Sequence, residues 1–188
     1  MRRLVVSVLG AARLENPEHV VMGRQLGAAL VEAGFRVVTG GLGGMMEAVS
    51  YGARHSQAWS EGSVVGIVPS YAASEANPWC DLVIPSGMQV ARNVLVVSSA
   101  DVVVAVGGGS GTLSEIAIAW QLGRPIVALG KEGWAGRVAG TAIDSRHAGS
   151  IRGCSTVQEV VDACLELAKT TLDAGDIGSG WRKPRMRP

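Results

Sequence analysis

The chain has 188 residues, 47% of them hydrophobic, and a formal net charge of +1. That is one domain's length with enough apolar mass for a core, and it implies no general attraction to nucleic acid or to a membrane surface. Three cysteines (Cys80, Cys154 and Cys164) and three histidines (His19, His55 and His147) are too scattered for a disulfide framework or a metal site, so the chain reads as a reduced, cytoplasmic, metal-free protein.

Residues 4–9 are a near-continuous apolar run, as a strand covered on both faces requires. The run ends at Gly10 with no cleavage region, so no signal peptide is expected. Asn16-Pro17 then opens a helix that Gly34 closes, because Asn can cap it and Pro tolerates its first position. Val20, Gly23, Gly27 and Leu30 share one face, and the glycines are expected to let that helix lie close to the sheet. Residues 36–39 form a second strand, which runs into Gly40-Gly41-Leu42-Gly43-Gly44 and a helix over 45–55. A third strand covers 64–68 and is stopped by Pro69. A polar loop over 70–80 and a short strand over 82–84 follow.

Residues 90–100 are valine-rich yet read as a helix, because parallel neighbours need a crossover of about a dozen residues. A strand over 101–106, a helix over 112–122 and a buried strand over 125–129 come next. The stretch 94–106 contains Ser98, Ser99 and Asp101 and is too short and polar to span a bilayer. Thr156-Val157-Gln158-Glu159 has capping-box spacing and opens a last helix, whose apolar stripe fades after Leu172.

This alternation predicts an α/β Rossmann-like three-layer sandwich, a central parallel sheet with helices on both faces. A single nucleotide- or phosphate-binding domain spans residues 1–172, and 173–188 form a flexible tail, basic through Arg182, Lys183, Arg185 and Arg187. Ligands of such sheets bind beyond the carboxyl ends of the strands, where both glycine-rich turns fall.

The turn at Gly107-Gly108-Gly109-Ser110-Gly111-Thr112 leads straight into a helix. Glycines let the backbone approach a ligand, and the first amides of the helix lack internal partners and favour an anion. Phosphate is the natural occupant, with hydroxyls from Ser110 and Thr112 as added donors. No Gly-Lys-Ser/Thr follows, so this is no Walker loop, and Thr112 stands where a dinucleotide fingerprint has its third glycine. Glu115 shares a helical face with Thr112. It reads equally as a ligand carboxylate or as a first-turn Glu favoured by the dipole. Arg92 is either a surface residue or a fixed cation suited to phosphate. Gly43 and Gly44, in the first turn, together with Met88 and Asn93, complete the expected ligand-binding set. Asn77 and Asp81 flank the 70–80 loop, which either closes over a ligand or is simply solvated.

In combination, Gly40-Gly41-x-Gly43-Gly44-x-Met46-Glu47-Ala48, Gly66-Ile67-x-Pro69, Arg92-Asn93, Ser99-Ala100-Asp101 and Gly108-Gly109-x-Gly111-Thr112-x-x-Glu115 resemble the Lonely Guy superfamily. These Rossmann-like proteins were long labelled lysine decarboxylases, and the likeness is to a small bacterial branch that also resembles molybdenum cofactor carrier proteins. The resemblance covers roughly residues 3–170. It implies a homodimer or tetramer and a small phosphorylated ligand. It also implies cleavage of nucleoside 5′-monophosphates to free base and ribose 5-phosphate, with Arg92 and Glu115 as the catalytic residues. This chain departs from the pattern at Gly107, where the family has Pro, at Asn93, where it has Lys, and at Ala91, where it has an acid. Lost charge at 91 and 93 suits the alternative, a carrier of molybdenum cofactor without catalysis; a nucleotide sensor is a third reading. No cofactor is required, and bound phosphate, nucleotide or molybdenum cofactor is expected only as ligand. A pyridoxal decarboxylase is disfavoured, because Lys131, Lys169 and Lys183 stand in no Schiff-base setting.

Overall fold

The computed structural model describes residues 2–173, in which seven parallel strands form one sheet. The strands are β1 (Val5–Gly10), β2 (Arg36–Thr39), β3 (Val64–Val68), β4 (Leu82–Pro85), β5 (Val102–Val106), β6 (Ile126–Leu129) and β7 (Arg152–Cys154). Their order is β4-β3-β2-β1-β5-β6-β7. The chain winds outward from β1 to β4, then returns to lay β5 on the free side of β1. The switch point between these halves lies at β1 and β5.

The helices are α1 (Pro17–Glu32), α2 (Met45–Arg54), α3 (Arg92–Ser98), α4 (Ser110–Gln121), α5 (Gly133–Val138) and α6 (Val157–Asp173). One core packs α1, α2 and α6 on one face through Leu26, Leu30, Phe35, Val49, Val160 and Cys164. The other packs α3, α4 and α5 on the opposite face through Val96, Val97, Ile116, Ala119 and Ala135. The three-layer expectation therefore holds. Residues of β3, β5 and β6 are buried without exception, as the unbroken apolar runs required. Asp101 pins two strand starts together. Its carboxylate takes both Nη groups of Arg2, at 2.7 and 2.6 Å, and the Val5 amide at 2.9 Å.

The glycines of α1 face a different partner from the one expected. A Cβ on Gly23 would press on Ala48 and Met45, and one on Gly27 would run into the Val49 carbonyl. Gly52 of α2 answers them, since a Cβ there would meet the Arg24 carbonyl. These positions bring α1 against α2, not against the sheet.

Asn16 accepts from the Glu18 amide at 2.9 Å and Pro17 occupies the first turn of α1, as read from the sequence. The box at α6 forms with a shift of one residue. Thr156 accepts from the Glu159 amide, while the Glu159 carboxylate reaches back to the amide of Ser155. The basic tail lies outside the described residues; Asp173, assigned to it from the sequence, is the last residue of α6. No described helix is long and apolar enough to cross a membrane.

Candidate functional site

The two glycine-rich turns stand at the carboxyl ends of β2 and β5, on either side of β1. The first turn is filled by the protein itself. A Cβ on Gly40 would collide with the Arg92 guanidinium and Met46, and one on Gly44 (φ +66°) with the backbone of Ala11 and Ala12. Asn77 closes it from above: its backbone and side-chain amides both donate to the Gly41 carbonyl, and the side chain also to Leu42.

The second turn is open. Gly107 (φ +57°) and Gly108 (φ +83°) need glycine for conformation, and the Thr112 side chain fills the space over Gly108. Gly109 and Gly111 have ordinary φ, and nothing lies within 4 Å of a Cβ built on either. No side chain caps α4 at Gly109, so its first amides have no intrahelical partner and no cap. Gly109, Ser110 and Gly111 are exposed. The turn is held from behind by α5, where the amides of Trp134 and Ala135 donate to the carbonyls of Gly108 and Gly107, each at 3.0 Å.

Arg92 and Glu115 meet where α3 packs on α4. Arg92 Nη1 lies 3.7 Å from Glu115 Oε1, and each side chain is only 10% exposed. That separation is longer than a charge-assisted hydrogen bond, and Arg92 Nε has no partner. Burial raises the Glu115 carboxyl to about 7, against the opposing pull of Arg92. Burial likewise lowers the Arg92 guanidinium, partly offset by Glu115. Asn93 donates at 3.0 Å to Ser114, which donates to the Gly111 carbonyl at 2.7 Å. Asn93 thus braces α4 against α3. Met88 sits on the surface with Val90 and Val94.

A cavity of about 640 Å³ opens on the other flank of the second turn. Gly107 and Gly108 form one wall, the start of α1 another, and the loop after β6 a third. Neither Arg92 nor Glu115 lines it. The sequence reading did not find this cavity; Arg13 and Lys131 at its rim carry no motif. Asn77 and Asp81 both bond within the protein. Asp81 accepts from the Trp59 indole and the Val64 amide, both near 3 Å, and faces Arg54.

The doubly wound sheet, its switch point and the open glycine turn define a Rossmann-like α/β protein with an uncapped helix start at that turn. The chain belongs to the SLOG cluster4 family, whose model matches residues 3–161. It is 37% identical over 129 residues to an uncharacterised protein of Archaeoglobus fulgidus, covering 69% of this chain and 82% of that one. Among solved structures it is similar to TM1055, with a TM-score of 0.78 at 33% identity over 87% of this chain and 99% of that one. It is also similar to the molybdenum cofactor binding protein of the phototrophic bacterium Rippkaea orientalis. There the TM-score is 0.76 at 29% identity, over 92% of this chain and 99% of that one. The resemblance drawn from the sequence motifs, to the Lonely Guy superfamily and its carrier-like branch, agrees with these matches.

Proposed function

We propose that this protein binds the phosphate of a small phosphorylated heterocycle on the first turn of α4 and holds it, with the molybdenum cofactor as cargo. One observation carries the reading: nothing lies within 4 Å of a Cβ built on Gly109 or Gly111, and Gly111 is required by neither a positive φ nor packing. Glycines kept clear before an uncapped helix start leave room for an anion to reach the amides, where the helix dipole favours it. The relative from Rippkaea orientalis supports the choice of cargo. So does Asn93, which braces α4 where an enzyme of the resembling superfamily places a cation. Exposed Leu82, Ile84, Val90 and Val94 suit contact between copies of the chain, and a homodimer or tetramer is part of the same proposal. The test is purification from a host that makes the cofactor, followed by mass spectrometry for bound pterin. Co-purifying pterin and slower oxidation of added cofactor are expected; absence of both overturns the reading.

A second reading rests on the Arg92–Glu115 pair. Two buried charges 3.7 Å apart, with no direct hydrogen bond, leave capacity for a ligand. In a nucleoside 5′-monophosphate phosphoribohydrolase, residues Gly108 to Thr112 hold the phosphate and Arg92 orients the ligand. Glu115 holds a ribose hydroxyl and offsets the positive charge that develops as the C1′–N bond breaks. Water then adds at C1′ and the base leaves with a proton. Incubation with AMP should release adenine, and Glu115→Ala should abolish the release; no turnover by the native protein sinks this reading.

A further inference from the structure

The cavity beside the open turn has the features of a ligand compartment. Its volume, about 640 Å³, falls in the range of roughly 300–1,000 Å³ usual for small-molecule sites. Met22 of α1, Met45 of α2 and the ends of β5 and β6 at Val106 and Leu129 line it. Met22 is partly exposed there and gives a polarisable apolar contact that suits a flat ring, while Met45, Val106 and Leu129 are buried beneath it. At the rim, the carboxylates of Glu15 and Glu18 can accept from ring or exocyclic N–H groups. Arg13 and Lys131 line the same space and have no ion-pair partner among the described residues. His19 and Glu132, 3.3 Å apart, join α1 to the loop after β6 across it.

Gly107 and Gly108 belong both to this cavity and to the turn that presents the α4 amides. One ligand can therefore rest its phosphate on α4 and its body in the cavity. Building on the phosphate-binding reading above, we propose that the ring of the ligand, a planar amine-bearing nitrogen heterocycle, occupies this cavity on the α1 flank, out of reach of Arg92 and Glu115. Lys131 then faces the ligand's anionic part, and Met22 faces its ring. Arg92 and Glu115 serve the frame: the guanidinium fills the space over Gly40 and ties the first glycine turn to α4.

Calorimetric titration with AMP, GMP, molybdenum cofactor and inorganic phosphate tests this, using the native chain, Met22→Trp and Lys131→Glu. The purine and cofactor titrations distinguish a purine ring from a pterin. Whichever heterocycle binds should lose about tenfold or more in affinity with Met22→Trp and with Lys131→Glu. Met22→Trp should keep its affinity for inorganic phosphate. Lys131 is exposed, so Lys131→Glu reports even if Met22→Trp fails to fold. Native affinity in folded Met22→Trp, or in Lys131→Glu, overturns the placement. No binding of any heterocycle by the native chain overturns both.

Discussion

The two glycine-rich turns look alike in sequence and differ in use. At residues 40–44 the protein fills its own turn: Arg92 and Met46 cover Gly40, Asn77 takes the Gly41 carbonyl, and Gly44 presses on Ala11 and Ala12. At residues 107–111 only Gly108 is covered by a neighbouring side chain, from Thr112, and Gly109 and Gly111 face nothing. Glycine in the first turn serves close packing; in the second it keeps a surface bare.

The largest expected effect breaks the first turn. Gly44→Ala needs positive φ and places a Cβ against the Ala11 carbonyl, so it should cost about 3 kcal/mol, read as a shift in the urea midpoint. A midpoint near that of the native chain would mean that the first turn is not tightly filled.

Glu115 should produce the next effect. Its carboxyl is raised to about 7 by burial, above the value of about 4.3 expected in the unfolded chain. Between these values the folded state binds more protons, so stability should fall as pH rises from about 4.5 to 7 and then level, by roughly 2–3 kcal/mol. Glu115→Gln should flatten that slope in urea titrations across the range; an unchanged slope would refute the assignment.

Gly111→Ala sharpens the comparison between the turns. It should change stability by less than about 0.5 kcal/mol, or raise it slightly, because the site is open and helical. Affinity for inorganic phosphate should nevertheless fall. Destabilisation as large as that of Gly44→Ala would erase the difference between the turns. Asn93→Ala removes one hydrogen bond to Ser114 and should cost about 1 kcal/mol in thermal melts, more than Gly111→Ala and less than Gly44→Ala.

Much of this architecture was legible in the sequence, and the failures have physical causes. The buried strands announced themselves as apolar runs, and Asn16-Pro17 marked a helix start through local capping chemistry. The short α5 and β7 went unread because Gly-Trp-Ala-Gly-Arg-Val and Arg-Gly-Cys have weak intrinsic preference. Tertiary bonds hold them: α5 donates to Gly107 and Gly108, and Gly130 after β6 donates to the Cys154 carbonyl of β7. The α1 glycines were recognised, but sequence cannot say whether a small-residue face meets a sheet or a helix. At the site, helical spacing put Glu115 on the face of Thr112, whereas its pairing with Arg92, 23 residues upstream, depends on how α3 packs on α4. The cavity was invisible because its walls come from four separated stretches of chain.

The strand order β2-β1-β5 also acts as a ruler. Each turn sits one strand away from β1, so the two turns are separated by two inter-strand spacings, roughly 10 Å. Backbone pairing sets that gauge, and surface side chains cannot tune it. The filled first turn and the open second one are therefore held at a distance that the sheet fixes.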